Sequence, residues 1–333
     1  TSIGDEAFGN CTSLTSVTIP DSVTSIGDGA FSACASLTAI TVDPQNSFYS
    51  SVNGVLFDES QTTLVQYPGG LDGSYAIPDT VTIIEDSAFD TCTNLTIVAI
   101  PKSVTSIGNS AFFSCTSLTN IAIPNSVTSI GDWAFLSCSR LTSVAIPDSV
   151  STINDEAFGY CTSLTHVTVP DSITDITGYM FYACYSLTNV VIPSSVTSIE
   201  DDAFAGCTSL ASVYFGGNAP TFGSGVFDGE TNATAYYLPG TTGWGNFSTN
   251  AGIPTVLWNP LIQTDGGFGV RNNQFGFNIA GTTNIPIVVE ACPNLANPVW
   301  TPLQALNLTN GLFYFSEPFQ PNSPGRFYRI SSP

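Results

Sequence analysis

The residues with the clearest potential for chemistry are cysteines, of which the chain of 333 residues has nine. Disulfides and zinc sites are the usual roles of recurring cysteines, but no close pair such as C-x2-C occurs. Disulfides between evenly spaced positions would demand distorted geometry at several places. The spacing favours a buried ladder of small apolar thiols, one in each repeat. The ladder cysteines, 23 residues apart within each series, are Cys11 and Cys34, then Cys92, Cys115, Cys138, Cys161, Cys184 and Cys207.

Other groups suited to catalysis are scarce. His166 is the only histidine of the sequence, and the ninth cysteine, Cys292, has no evident mate. No G-x-S-x-G nucleophile motif, P-loop or dinucleotide fingerprint occurs. We therefore predict that the protein is not an enzyme and requires no cofactor.

Aspartates recur at fixed positions of the repeat, and stacking of the repeats would bring like charges together. Asp132 and Asp155 belong to one such series. Stacked carboxylates repel each other, and oxygen ligands of this kind are those that Ca²⁺ prefers. The alternative is that each Asp bonds to the local backbone of its turn. Because Asn109 and Gly178 interrupt the series, the turn interpretation is favoured, and Asp132 and Asp155 remain weak calcium candidates.

The charge balance excludes two classes of partner. The chain has 5 Lys and Arg against 26 Asp and Glu, which gives a formal net charge of −21. Nucleic acids and anionic membrane surfaces both require clustered basic residues. No run of 18 apolar residues occurs, so no membrane insertion is predicted. The sequence opens inside a repeat at Thr1, and we expect further repeats and a targeting segment before it.

A repeat of 23 residues must position these groups, and residues 123–141, IPNSVTSIGDWAFLSCSRL, show its parts. We expect a first strand at Leu118–Ile123, ended by Pro124, which has no backbone N–H. A second extended segment follows at Ser126–Ile130. A helical turn at Ala134–Cys138 then places Phe135 in the core. The phenylalanines expected to stack in this way include Phe112, Phe135, Phe158 and Phe181.

One such coil cannot bury its own apolar face, but a stack of coils can. The predicted fold is a solenoid over residues 1–215, with neighbouring strands roughly 5 Å apart in a parallel sheet. One unit is longer than the others, at about residues 43–77. Its Asn53-Gly54 turn predicts an irregular repeat with a protruding hairpin.

The pattern IPxSVTSIGxxAFxxCxxLTxI resembles the BspA-like leucine-rich repeat family over about residues 1–215, since seven kinds of position recur together. The resemblance implies a curved, right-handed leucine-rich-repeat solenoid. It also implies secretion or surface display, and binding to host or matrix proteins. Members of the family are diverse, so the identity of the partner does not follow.

The sequence changes after the repeats. Residues 216–258 continue the 23-residue spacing but lack the cysteine. We expect them to cap the solenoid, with Trp244 and Trp258 sealing its core. Residues 260–333 predict a small antiparallel β-sandwich-like domain. Its expected strands are Phe275–Ile279, Ile287–Glu290, Val299–Leu303, Leu312–Phe315 and Phe327–Ile330.

The side chains that point outward from the first strands form the candidate binding surface. They include a nearly unbroken threonine column, which reflects either β-propensity or a flat array for a polysaccharide or ice. A neighbouring column varies from repeat to repeat, and variable exposed positions are where a solenoid would encode its partner. The predicted ligand-binding residues on this face are Asn120, Ser143, His166, Asn189 and Tyr214.

Five N-x-S/T sequons offer glycosylation sites if the source glycosylates. Asn10 and Asn94 lie in the repeat frame, where a glycan is expected to fit poorly. Asn232, Asn246 and Asn307 lie in predicted loops and are the preferred acceptors.

Two functions are compatible with these patterns. The first is an extracellular or cell-surface module that binds or adheres to a protein or polysaccharide through the sheet face. The alternative is a structural building block that self-associates into an extracellular fibre or layer. Concentration-dependent self-assembly distinguishes them, because a building block polymerises alone.

Overall fold

The computed structural model describes residues 1–230, 232–264, 266–319 and 325–333, and the chain forms two compact units. The first unit comprises Thr1–Thr234 and Thr242–Pro254, and the second comprises Ala235–Thr241 and Thr255–Pro333. The repeats build a β-solenoid of about 11 turns with parallel strands and almost no helix. The predicted fold class is thereby confirmed.

Most coils of the first unit contribute one face strand of three to five residues and one short strand of two. Equivalent strands pair in parallel, so that Asn120 lies beside Ile97 and Ser129 beside Ser106. The strands are, in chain order, β1 (Ser2–Ile3), β2 (Ser16–Ile19), β3 (Ser25–Ile26), β4 (Ala39–Val42), β5 (Tyr49–Val52), β6 (Val55–Asp58), β7 (Thr63–Gln66), β8 (Gly73–Ala76), β9 (Ile83–Ile84), β10 (Leu95–Ala99), β11 (Ser106–Ile107), β12 (Asn120–Ala122), β13 (Ser129–Ile130), β14 (Ser143–Ala145), β15 (Thr152–Ile153), β16 (His166–Thr168), β17 (Asp175–Ile176), β18 (Asn189–Ile192), β19 (Ser198–Ile199), β20 (Ser212–Phe215) and β21 (Thr221–Phe222).

The core of the solenoid is a column of stacked phenylalanine rings. From Phe89 to Phe227, successive ring centroids lie 4.8–5.8 Å apart and the rings are within 16° of parallel. Leu118 and Ile121 are buried beside this column, as the strand pattern predicts. Each ring therefore contacts the coil before it and the coil after it.

The turn that carries each phenylalanine is not helical, so that prediction is wrong. Trp133 and Ser137 adopt left-handed backbone conformations, with φ of 57° and 63°. The N–H of Phe135 donates to the carbonyl of Ala157 at 2.8 Å, in the next coil. A single helical turn nucleates poorly, and here the backbone donors find carbonyls in the neighbouring coil instead.

The irregular repeat contains the hairpin at Asn53-Gly54, but the hairpin does not protrude. Asn53 and Gly54 have φ of 52° and 83°, and they join the antiparallel strands β5 and β6. Val55, Leu56 and Phe57 of β6 are at most 1% exposed. Three apolar residues in succession drive this strand into the stack. The next strand, β7, pairs in parallel with β9, where the regular coils resume.

A buried amide joins the irregular repeat to the coil before it. Asn46 donates to the carbonyls of Pro20 and Val23 at 2.8 and 2.9 Å. Its Oδ1 accepts from the N–H groups of Phe48 and Tyr49 at 2.8 and 2.9 Å. The side chain thus replaces the strand pairing that the insertion interrupts.

Two short helices close the last coil of the first unit. A 3₁₀ helix spans Trp244–Asn246 and α1 spans Phe247–Ala251. The ring of Trp244 is 8% exposed and packs edge-on against Phe215 at 5.1 Å. Trp244 is therefore part of the core of this unit.

The second unit is built mainly of antiparallel strands, which confirms the predicted β-domain. The long strand β26 pairs with β24 and β25 on one side and with β29 on the other, and β27 lies between β28 and β30. Phe277, Ile287 and Phe315 are buried in its core. Its strands are β22 (Thr234–Tyr237), β23 (Thr255–Leu257), β24 (Leu261–Gln263), β25 (Gly269–Arg271), β26 (Gln274–Ala280), β27 (Ile285–Cys292), β28 (Thr301–Leu308), β29 (Leu312–Pro318) and β30 (Phe327–Ser331).

The division between the units differs from the composition break at residue 260. Tyr236 pairs with Val256 across β22 and β23, and most of this strand pair belongs to the second unit. Trp258, expected to seal the solenoid, instead donates its indole N–H to the carbonyl of Pro286 at 3.0 Å. The end of the repeat pattern shows where the regular coils stop. It does not show which strands the following residues pair with.

Phe135→Ala should lower the free energy of unfolding by about 3–5 kcal/mol, because it leaves a cavity between two stacked rings. Thr142→Ala, on the exposed face, should stay within about 0.5 kcal/mol of the unmodified protein. Urea denaturation followed by circular dichroism measures both. Equal losses would show that the inward and outward assignments are wrong.

Candidate functional site

One outward column of the sheet face has the features of a recognition surface. We call Ile97, Asn120, Ser143 and His166 the outer column. The parallel register places Asn120 beside Ile97 and Ser143 beside His166. All four side chains are exposed, and the predicted member Asn189, which follows them along the solenoid, is half-buried. Four consecutive coils therefore present an apolar group, an amide, a hydroxyl and an imidazole in one row.

The prediction that Tyr214 is exposed is wrong. Tyr214 pairs in register with Val191, which is 44% exposed, so the side chain of Tyr214 leaves the strand on the outward side. The side chain is nevertheless only 6% exposed. Alternation along a strand gives the direction of a side chain. It does not show whether other groups pack over that side chain, as they do here.

The hydroxyls of the threonine column beside the outer column bond to a neighbouring coil. The hydroxyl of Thr142 donates to the carbonyl of Thr119 at 3.4 Å, and that of Thr165 donates to the carbonyl of Thr142 at 3.1 Å. Thr96 donates to the carbonyl of Gly73 at 2.7 Å in the same way. These hydroxyls connect consecutive coils, so their donors are not free for a ligand.

The outer column keeps its hydrogen-bonding groups unused. Within the described part of the chain, the side chains of Asn120, Ser143 and His166 form no hydrogen bond. Asn189 differs, because its amide donates to the hydroxyl of Thr188 at 3.3 Å. An amide and a hydroxyl each donate and accept, and an imidazole does both in its neutral form. The row can therefore match several polar groups of a partner.

The recurring aspartates form a second ladder, and their partners are not local as the turn interpretation expects. Oδ1 of Asp132 accepts from the N–H of Asp155 at 3.0 Å, and Asn109 accepts from the N–H of Asp132 at 2.9 Å. Each side chain thus bonds to the next coil. Among the described residues, no group of three or more His, Cys, Asp or Glu is placed to hold a metal ion.

The ladder cysteines do not form disulfides, and all of them except the exposed Cys11 lie in the core. The thiol of Cys138 donates to the carbonyl of Phe112 at 3.2 Å, and the thiol of Cys161 to that of Phe135 at 3.3 Å. Burial raises the pKa of Cys161 to about 12, so this thiol stays protonated at neutral pH. A protonated, buried thiol is a poor nucleophile. Cys292 in the second unit is also free and buried.

Carboxylates line a cleft of about 260 Å³ beside the irregular repeat. Burial, together with the charges of Asp28, Asp86 and Asp58, raises the pKa of Glu85. Burial also acts to raise the pKa of Asp58, but hydrogen bonds from Ser60, Thr62 and Thr63 outweigh it and hold that pKa low. Two carboxyl groups of this cleft, Glu85 and Asp58, therefore have pKa values shifted in opposite directions.

The three preferred sequons are all exposed, but only Asn232 lies outside regular structure. Asn246 ends the 3₁₀ helix, and Asn307 lies on strand β28, where a loop was predicted. Asn10 and Asn94, expected to be less accessible, are exposed as well.

Glu230 interrupts the cysteine ladder at its end. It lies 23 residues after Cys207, and its N–H donates to the carbonyl of Phe227 as that of Cys207 does to Phe204. Its side chain is 9% exposed, and its carboxylate oxygens find no hydrogen-bond partner among the described residues. Burial raises the pKa of Glu230 from 4.5 to about 7.

An exposed aromatic cluster on the turns was missed by the sequence analysis. Trp133, Tyr160, Tyr179 and Tyr185 are 40–47% exposed on three consecutive coils, and Tyr182 lies between them. We call these five residues the turn aromatic patch. Comparison of equivalent repeat positions was the available signal, because other coils carry Ser, Gly or Thr at several of them.

Comparison with known proteins identifies the repeat. The model of the BspA type leucine rich repeat region matches in 6 copies, over residues 1–72, 73–185 and 134–246. No curated protein matches the chain. In the described part of the chain, none of the helices combines the length and apolar character needed to cross a bilayer.

Several solved structures share the fold. A leucine-rich repeat protein from Eubacterium ventriosum is 26% identical, with a TM-score of 0.51 over 69% of this chain and 62% of that one. One from Bacteroides ovatus is 24% identical, with a TM-score of 0.51 over 78% and 76%. The pneumococcal vaccine antigen PcpA is 19% identical, with a TM-score of 0.50 over 74% and 56%. The chain thus spans less than two thirds of the first and third of these structures.

Glu230→Cys should stabilise the protein, and the gain should depend on pH. The pKa of Glu230 is 4.5 in the unfolded chain and about 7 in the folded protein. Because this pKa is raised by folding, the free energy of unfolding falls as the pH rises through this range. The variant should therefore match the unmodified protein at pH 4 and exceed it by about 3 kcal/mol at pH 8. Urea denaturation across this range measures the difference. A gain that is independent of pH would contradict the assignment.

Proposed function

Because the chain belongs to the BspA-type leucine-rich repeat family, we propose that it is a secreted or surface-displayed binding module whose outer column recognises an extracellular protein or polysaccharide. The single observation that carries this proposal is the row of unused polar groups at Asn120, Ser143 and His166. They are exposed on consecutive coils and form no hydrogen bond within the described chain, whereas the neighbouring threonines do.

Rigidity of the face supports recognition. The face strands on both sides of β16, which carries His166, pair with that strand in parallel, and threonine hydroxyls bond coil to coil beside it. A surface that is already ordered loses little conformational entropy when it binds. Ile97 is 52% exposed and adds an apolar contact to the polar row. Polar groups then give specificity and the apolar side chain adds buried area.

Charge restricts the partner. A formal net charge of −21 disfavours nucleic acid and anionic membrane surfaces, and it is compatible with neutral or basic partners. The residues best suited to catalysis also support a non-enzymatic role. The only histidine of the sequence lies on an exposed strand without a hydrogen-bond partner in the described chain, and the thiol of Cys161 stays protonated.

The triple variant Asn120→Ala, Ser143→Ala and His166→Ala should weaken binding to the partner at least about tenfold, since it removes three central contacts. The partner would be sought on arrays of extracellular matrix proteins and glycans. Biolayer interferometry would then give the dissociation constant of each hit.

A matched control truncates three polar residues on the short-strand side of the coils that carry Ile97, Asn120 and Ser143. Its substitutions are Thr105→Ala, Thr128→Ala and Ser151→Ala. This variant should bind within about threefold of the unmodified protein. Equal affinities for the unmodified protein and the outer-column variant would place the binding site elsewhere.

The structural alternative makes a different prediction. A binding module should give isolated particles by negative-stain electron microscopy across a concentration series, with and without Ca²⁺. A building block should form ordered filaments or sheets as its concentration rises. Such polymers would replace the binding proposal with the extracellular fibre or layer.

A further inference from the structure

The turn aromatic patch is not required by the fold. Trp133 and Tyr179 have left-handed backbones, with φ of 57° and 54°, and Ser87 and Ser110 hold the same coil position with φ of 58° and 51°. Bulky side chains are uncommon in this conformation. The same turn therefore forms with serine, and the aromatic residues are additions to it.

Two rings of the patch interact with an acidic side chain of the next coil. The indole N–H of Trp133 donates to Oε2 of Glu156 at 2.5 Å. Interaction with the carboxylate of Asp202 raises the pKa of the Tyr179 hydroxyl. Aromatic and acidic side chains alternate at this coil position, which is held in turn by Trp133, Glu156, Tyr179 and Asp202. Each interaction fixes a ring against the next coil and leaves its faces accessible.

The tyrosine rings of the patch are inclined to one another. Tyr182 lies 5.3 Å from Tyr160 at an interplanar angle of 64°, and 5.5 Å from Tyr179 at 63°. Rings at such angles make corners instead of a flat platform. Corners of this kind are how aromatic cages hold cations, whose charge is attracted by the negative ring faces.

The exposed chemistry of the patch is therefore electron-rich throughout. It offers ring faces and the carboxylates of Glu156 and Asp202, with the exposed Asp155 and Asp201 one residue away along the chain. Its indole N–H is used internally, so it has little to offer an anion. Only two of the five basic residues of the sequence, Lys102 and Arg140, belong to the first unit.

We propose that the turn aromatic patch binds the lysine and arginine side chains of a basic segment in a partner protein. Cation–π attraction at the corners and charge attraction from the interleaved carboxylates act together on such a segment. Binding here is independent of the outer column, which lies on the face strands. A neutral sugar chain fits less well, because sugar rings stack on flat aromatic surfaces.

Hexaarginine and hexalysine peptides, with laminarihexaose as a neutral sugar, are the probes, and isothermal titration calorimetry with the full chain measures their affinities. The ring variant changes three tyrosines to residues that other coils carry at the same positions, so the turns keep their backbone. Peptide affinity should fall about tenfold in this variant at unchanged net charge. Its substitutions are Tyr160→Ser, Tyr179→Ser and Tyr182→Ala.

A charge variant separates the patch from diffuse attraction to an acidic protein. Glu156→Gln with Asp202→Asn should weaken peptide binding about fivefold, whereas Asp148→Asn with Asp171→Asn, which makes the same change in net charge elsewhere, should not. Circular dichroism confirms that each variant is folded.

Three outcomes would overturn the proposal. Unchanged peptide affinity in the ring variant is the first, and equal losses in the two charge variants are the second. Tighter binding of laminarihexaose than of either peptide is the third, and it would assign the patch to a polysaccharide. If the ring variant does not fold, the comparison of the two charge variants decides alone.

Discussion

Each coil of the solenoid finds the partners for its groups in the next coil, and the rest of the structure depends on this constraint. The thiol of Cys138, the carboxylate of Asp132 and the ring of Phe135 all contact residues of a neighbouring coil. The backbone N–H of Phe135 does the same. A group that recurs every 23 residues meets its own equivalent or the backbone beside it. Stability is therefore a sum of identical interfaces between neighbours.

The constraint acts on the chemical role of a position more than on its residue type. Asn109 replaces an aspartate because its Oδ1 accepts the same N–H, and Ser151 replaces a threonine because its hydroxyl donates to the same kind of carbonyl at 3.3 Å. Glu230 cannot act in this way, since a buried carboxylate neither donates like a thiol nor tolerates loss of water. It stands 23 residues after Cys207, at the end of the ladder.

Periodicity predicted which residues stack on their equivalents, but it did not predict how the turn bonds or what packs over a single strand. Burial of Leu118 and Phe135, and the parallel pairing, follow from stacking any coil on its copy. The non-helical turn was missed because periodicity does not show which carbonyls accept the backbone N–H groups, and here those carbonyls belong to the neighbouring coil. Burial of Tyr214 depends on what packs above one strand. The turn aromatic patch was missed because a search for constant positions passes over positions that vary.

In the two proposals, recognition and stability thus occupy different residues of the same coil. Asn120 and His166 form no hydrogen bond in the described chain, and Tyr160 stands where other coils carry serine, so these positions can change without breaking the contact between coils. The outer column offers donors and acceptors, whereas the turn patch offers ring faces and carboxylates. Substitution at such positions alters the preferred partner at little cost in stability. A single repeat can therefore support diverse binding surfaces on one unchanged core.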